Sequence, residues 1–274
     1  MRLSGAAVED SHGTAPTSGK RWLKATLIGL HSQSRHSRTL AFRVPGWTGH
    51  APGQHVDVRL TAADGYSAQR SYSLAEPSTT PDRVAITVDL LPHGEVSPYL
   101  VETMEIGDEL DVRGPIGGWF TWTPGDPGIG PGPVLLVAGG SGVVPLMTML
   151  LARKRAEDRT PTMLVYSLRG PRDLMYGREL SEMSVGRSGS RTESDPEVRL
   201  VYTRVVPETH PRPASHLRRE DIALPSAWPA HLAARVFVCG SSSFVEHATG
   251  LLRAEGYPDD RIRTERFGPT GADR

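Results

Sequence analysis

Residues 123 to 133 read TPGDPGIGPGP, and the chain changes character across them. Upstream, apolar residues alternate. Val56, Val58 and Leu60 are separated by Asp57 and Arg59, Val84, Ile86 and Val88 by Ala85 and Thr87, and Leu110 and Val112 by Asp111. A period of two marks strands with one buried face. The runs are short and end at turn sequences such as PGQ and ADGY, which predicts an antiparallel barrel or sandwich. Downstream, VLLVAGG, TMLVYSL, VRLVYTR and RVFVCGSS are near-continuous apolar runs, as in parallel strands buried on both faces. Helical patterns lie between some of them. Met147, Leu150 and Leu151 share one face, from a helix starting near Pro145, and Phe244, Val245, Ala248, Leu251 and Leu252 share another, with Gly256 placed to end it. Strand and helix in alternation predict a doubly wound α/β sheet. A segment dense in Gly and Pro propagates neither pattern. The expected organisation is therefore a tail at 1–20, a β domain at 21–122, a linker at 123–133 and an α/β domain at 134–270. Residues 181 to 197, SEMSVGRSGSRTESDPE, read as a polar, mobile surface loop.

Bulk properties remove several functional classes. The formal net charge is zero, so no global field points to nucleic acid. The single cysteine, Cys239, excludes an internal disulfide framework, a four-cysteine zinc site and an iron–sulfur cluster held by this chain. No apolar run is long enough to span a membrane, and residues 1–20 lack the apolar centre of a secretion signal. The expected location is the cytoplasm.

Six stretches carry candidate chemistry. In RSYSLAEP, residues 70 to 77, alternation places Arg70 and Tyr72 on one strand face and Ser71 and Ser73 on the other. An arginine for an anion, an aromatic ring for stacking and a hydroxyl for a ring heteroatom suit a flat ligand with a charged tail. In HGEVSPYL, Ser97 stands where it can cap a helix with Pro98 at its first position, and the backbone of Val96 and Ser97 then faces an anion. In VLLVAGGSGVVP, a buried strand runs through a Gly-rich turn into a helix, the geometry that offers free N–H groups to a phosphate, although on this motif alone a tight turn with no ligand is the better explanation. In SLRGPRDLMYGREL and VYTRVV, Arg169, Arg172 and Arg204 follow strand ends, where arginine suits a phosphomonoester better than a ribose diol. VCGSSSFVE puts Cys239 and Gly240 at another such end.

Taken in order, these motifs resemble the ferredoxin–NADP reductase superfamily from about residue 22 to 270. RSYSLA is similar to its flavin motif and HGEVSPYL to its FAD pyrophosphate segment. RGPIGGWF is similar to the end of its FAD domain, AGGSGVVP to its nucleotide phosphate loop, and SLRGPRDLMY to its adenosine-recognition stretch. VCG resembles the Cys-Gly at the nicotinamide and ERFGP the tail over the flavin. The resemblance implies an antiparallel Greek-key β-barrel that binds FAD, followed by a doubly wound NAD(P)-binding domain. It implies that Arg70 pairs with the FAD pyrophosphate, Tyr72 stacks on the isoalloxazine, Ser73 bonds near N5, and Val96 and Ser97 cap the pyrophosphate. Gly140, Ser141 and Gly142 would hold the phosphates of the dinucleotide. Ser167, Arg169 and Arg204 would favour NADPH over NADH through the 2′-phosphate. Cys239 would touch the nicotinamide, and Glu265 and Phe267 would line the far side of the flavin. Ser71, Val88, Gly94 and Gly240 complete the cofactor-binding set, and Ser73, Cys239 and Glu265 form the catalytic one. One departure is Asp89, where the family often carries a basic residue.

The implied function is an FAD-dependent NAD(P)H oxidoreductase. With no cluster of its own, it is expected to pass electrons to a separate ferredoxin, flavodoxin, haem protein or molybdenum oxidoreductase. Two alternatives use the same scaffold: a flavin-dependent oxidase or quinone reductase with no protein partner, and a non-catalytic flavin-binding redox sensor.

Overall fold

A computed structural model describes residues 21–126, 132–185, 195–226, 228 and 234–268. The first half is built of strands. β1 (Leu23–Ser32), β2 (Ser37–Arg43), β3 (His55–Thr61), β4 (Ser67–Ser73), β5 (Arg83–Asp89) and β6 (Glu109–Ile116) lie in the order β4-β3-β6-β1-β2-β5, antiparallel throughout. A bridge from Leu74 to Ile86, with Ala75 N–H donating to Ala85 O at 2.8 Å, closes the sheet. β6 returns beside β3, so β6, β3, β4 and β5 stand in Greek-key order. Phe42, Val56, Val58, Ile86 and Val88 fill the interior.

The second half is a parallel sheet. Its elements are β7 (Val134–Gly139), α1 (Val143–Arg155), β8 (Thr162–Leu168), α2 (Gly177–Val185), β9 (Glu197–Tyr202), α3 (Arg219–Ile222), β10 (Arg235–Gly240), α4 (Ser242–Ala254) and β11 (Ile262–Arg266). The strand order is β11-β10-β7-β8-β9, with every pair parallel. The order reverses between β7 and β10. In such sheets a crevice opens at the carboxyl ends of the two strands that flank the reversal.

The halves share a core. Ala41, Ala75 and Ala85 of the barrel belong to the same apolar cluster as Val143, Leu146, Met147 and Leu150 of α1. Thr148 Oγ1 in α1 also donates to Leu74 O at 2.6 Å. This packing accounts for two departures from the sequence pattern. β5 is buried continuously from Val84 to Val88, because its outer face is covered too. α1 starts at Val143, two residues before Pro145, and is buried almost all round instead of along one stripe, being held between sheet and barrel.

Two further expectations change. The first five residues of the 181–197 loop are the end of α2, and β9 begins at Glu197; residues 186–194 lie outside the described residues, as do the 1–20 tail and 127–131 of the linker. Ser97 does not cap a helix. Residues Tyr99–Thr103 make a single π-helical turn with no side-chain cap, and Ser97 Oγ accepts instead from Leu91 N–H at 3.0 Å. Among the described residues no helix is long and apolar enough to cross a membrane, and no group of three His, Cys, Asp or Glu is placed to hold a metal.

Candidate functional site

β4 pairs with β3 on one side and ends at the buried Ser73, just before the bridge to β5. Pairing with β3 sets its faces: Arg70 lies opposite Val58, Ser71 opposite Asp57, Tyr72 opposite Val56 and Ser73 opposite His55. The structure therefore divides the strip as the alternation predicts. Ser71 is spent structurally, its hydroxyl donating to Asp57 Oδ1 at 2.6 Å while Arg113 holds Asp57 Oδ2 at 2.6 Å. Tyr72 is half-buried against the barrel core, and burial pushes its phenol well up, so it is a neutral ring at all ordinary pH. Arg70 is exposed and faces a carboxylate of its own chain, with Nη2 3.4 Å from Glu95 Oε2. Tyr66 donates to the same carboxylate at 2.6 Å. The side chain of Val88 lies wholly inside the barrel core. Gly94 sits under the Ser97 hydroxyl, where a Cβ would come within 3.2 Å of Ser97 Oγ and Leu91 O, and Val96 and Ser97 are themselves buried.

Ser73 shows what the strip is built towards. Its Oγ is buried with no hydrogen-bond partner, and so is Glu265 Oε2. His55, across from Ser73, places Nδ1 3.3 Å from Glu265 Oε1, near enough for charge pairing but not aligned as a hydrogen bond. Buried polar atoms without partners are rare. A group of them where the barrel meets β11 fits a polar ligand that supplies the missing bonds. His55 was not singled out in the sequence; nothing but its cross-strand neighbours marks it.

The reversal between β7 and β10 brings two glycine-bearing ends together. Gly140 to Gly142 form one 3₁₀ turn that leads into α1. The glycines serve different ends. Gly140 has φ +55° with open space around it, so its backbone is accessible at the mouth of the crevice. Gly142 faces inward, where a Cβ would stand 2.2 Å from Cys239 O. Ser141, between them, is half-buried. Cys239 is wholly buried, and burial, with the Glu265 charge beside it, raises its thiol well above the usual value. It is a neutral, compact side chain and not a nucleophile. Its register partner in β11 is Glu265. The next pair is Gly240 with Arg266, and Phe267 N–H donates to Gly240 O at 2.9 Å, which seats the half-buried Phe267 ring on the shared core.

Arg169 and Arg204 are neighbours through the backbone. Both are exposed, and the N–H groups of Arg204 and Val205 donate to Arg169 O at 3.0 and 2.9 Å. Ser167 is buried just before them at the end of β8. Asp89, the departure noted in the sequence, ends β5 on the barrel side of this group. Burial raises its carboxyl, and the nearby His36 and Arg169 charges pull it down.

Comparison with known proteins agrees with this geometry. Residues 24–121 match the model of an oxidoreductase FAD-binding domain and residues 136–249 that of an oxidoreductase NAD-binding domain. The glycine betaine monooxygenase reductase subunit of Chromohalobacter salexigens is 31% identical over 223 residues, covering 81% of this chain and 57% of the relative. The chain thus spans little more than half the length of that relative. The fold is shared with the flavohaem-like FAD/NAD-binding domain of the nitric oxide dioxygenase of Vibrio cholerae (TM-score 0.74, 19% identity, 90% of this chain and 99% of that one). It is shared too with a ferredoxin NADP+ reductase of Neisseria gonorrhoeae (TM-score 0.70, 18% identity, 89% and 98%).

Proposed function

Because the chain belongs to the ferredoxin–NADP reductase superfamily, with its FAD-binding and NAD-binding domains, we propose that it is a flavoprotein reductase that oxidises NAD(P)H and passes the electrons to a separate acceptor protein. The observation that carries the reading is the meeting of Ser73, His55 and Glu265, with three buried polar atoms lacking a hydrogen bond, at the mouth of the crevice between β7 and β10.

The residues fit a flavin and a nicotinamide nucleotide. FAD supplies hydride acceptance from the nicotinamide and release of electrons one at a time. The chain's own groups bind and orient. Ser73 holds a free hydroxyl for a ring nitrogen. Tyr72 presents a neutral ring. Arg70 offers its guanidinium to a pyrophosphate once it leaves Glu95. The Gly140 backbone, before the N-terminus of α1, opens towards a phosphate. Neutral Cys239 fills the crevice floor without reacting, and Glu265 keeps one oxygen free to accept. Arg169 and Arg204 supply two cations for a 2′-phosphate, which favours NADPH. Residues 21–122 are read as the flavin-binding domain and 134–270 as the nucleotide-binding one.

The acceptor is read as the oxygenase component of a multicomponent system, because the Chromohalobacter relative is named as the reductase subunit of a monooxygenase. The test is direct. Purified protein is loaded with FAD and mixed anaerobically with NADPH, then with NADH, while the yellow absorbance is followed. Bleaching by NADPH at the faster rate, with slow reoxidation in air, is the expected result. A yellow protein that neither nucleotide bleaches overturns the reading.

A further inference from the structure

Tyr176 of the nucleotide domain is held by the barrel at two points, its hydroxyl and its backbone N–H. It adopts φ +57°, a left-handed conformation that is strained for a bulky residue. Such strain persists where the surroundings over-determine it, and here they do. The ring is wholly buried. Its hydroxyl lies 2.7 Å from Thr87 Oγ1 in β5, which lies 2.7 Å from Thr39 Oγ1 in β2. Gln33 completes a loop: its Nε2 donates to Thr39 Oγ1 at 2.9 Å and its Oε1 accepts from Tyr176 N–H at 2.9 Å. Three barrel side chains therefore grip both the backbone and the side-chain tip of one residue across the seam.

The gripped residue closes a short segment that begins with Ser167 and Arg169. The far end of that segment is pinned within its own domain, by Arg204 and Val205 N–H on Arg169 O. Gly170 is packed under Val205, where a Cβ would stand 3.2 Å from Val205 Cβ. Between the two anchorages the Arg169 side chain is exposed, and its charge acts on the carboxyl of Asp89, two residues beyond Thr87 on the same strand. β5 thus meets the segment twice, by a hydrogen bond at Thr87 and by a charge at Asp89.

We propose that Tyr176 is a positioning residue for nucleotide selection. By fixing the 167–176 segment to β5, it sets where the Arg169 guanidinium stands for a 2′-phosphate. The barrel that binds the flavin thereby also sets the preference for the second nucleotide. This rests on the assignment of Arg169 to the 2′-phosphate made above.

The test compares Michaelis constants of the FAD-loaded enzyme for NADPH and NADH in Tyr176→Phe, Thr87→Val, their double variant and Arg169→Ala. Loss of one hydrogen bond predicts a rise of about three- to tenfold in KM for NADPH, with KM for NADH, kcat and FAD affinity close to wild type. The double variant changes no more than Thr87→Val alone, because Thr87→Val already removes the bond that Tyr176→Phe removes, together with the one to Thr39. In nucleotide-free protein, hydrogen exchange of the 169–176 amides quickens in both single variants. A lowered melting temperature with an unchanged ratio of the two Michaelis constants means a merely structural residue and overturns the proposal, provided Arg169→Ala does change the ratio. An unchanged ratio in Arg169→Ala as well overturns the assignment of Arg169, and the proposal with it. If Tyr176→Phe does not fold, Thr87→Val alone decides.

Discussion

Ser73 and His55 face each other across β4 and β3, and His55 in turn reaches Glu265 of β11, 3.3 Å away. One barrel strand pair therefore meets the last strand of the parallel sheet through polar side chains. The Ser73 hydroxyl, buried and unbonded, lowers the stability of the flavin-free protein by about 1 kcal/mol or more. Ser73→Ala is expected to leave the flavin-free protein as stable as wild type or more so, while slowing the bleaching of bound FAD by NADPH. Thermal melts of the flavin-free protein and anaerobic stopped-flow of the loaded one read the two effects. A variant that melts lower without flavin means the hydroxyl has a structural partner, and one that bleaches at the wild-type rate takes Ser73 out of the catalytic set.

Gly140 and Gly142 differ in why they are glycines, and substitution separates the reasons. A Cβ on Gly142 meets backbone atoms of Cys239 and Gly240 at 2.2 to 2.7 Å, and none of these is a flexible side-chain end. Gly142→Ala should cost more than about 2 kcal/mol or prevent folding. Gly140→Ala meets nothing and bears only the strain of φ +55°, about 1 kcal/mol. Urea midpoints give the order, and Gly140→Ala proving the more damaging would show that the crevice floor is packed otherwise.

Asp89 ties stability to pH. Its carboxyl is raised in the folded protein, chiefly by burial. The folded state therefore holds this proton more tightly than the unfolded one. Between the ordinary aspartate value of 3.8 and the higher folded value, stability falls as pH rises, and above that window the full loss persists. Asp89→Asn should stabilise the protein at pH 7, with the gain shrinking as pH falls towards 3.8. Urea unfolding of both proteins at pH 7 and pH 4.5 checks the sign. A variant less stable than wild type at pH 7 would mean that attraction to Arg169 and His36 outweighs burial.

The two-regime architecture was legible because each regime is set by local periodicity. The alternation of Val56 and Val58 and the continuous run of Leu135 to Ala138 are properties of single strands. The crevice was legible as well, since glycines at the ends of β7 and β10 mark a turn whatever the rest of the chain does. What could not be read arises from contacts distant in sequence. Burial of Ala85 and Thr87 comes from α1 and Tyr176 lying against β5, and no pattern within β5 reports a second covered face. Ser97 carries a good cap sequence, yet its hydroxyl goes to Leu91, because the 91–97 turn brings that N–H closer than the next helical one. Val88 follows the alternation of β5 into the core. His55 lies in a strand like any other, and its place is visible only once β11 is laid beside it.

Arg169 is the residue whose replacement most directly tests nucleotide preference. Its carbonyl is fixed by Arg204 and Val205 and its guanidinium is exposed beyond the end of β8, so truncation to alanine leaves the backbone bonds intact. A charged hydrogen bond to a phosphate corresponds to roughly a ten- to hundredfold change in apparent affinity. Arg169→Ala should therefore raise KM for NADPH by that factor and leave KM for NADH nearly unchanged, with kcat unaltered for both because the 2′-phosphate is remote from the reacting carbon. Arg204→Ala should do the same more weakly if the two cations share one phosphate, and the double variant should then accept NADH at least as well as NADPH. Steady-state kinetics with an artificial one-electron acceptor at constant ionic strength give the four ratios. Equal effects on both nucleotides would assign Arg169 to a phosphate common to NADH and NADPH, and no effect on either would move the adenosine site away from the end of β8.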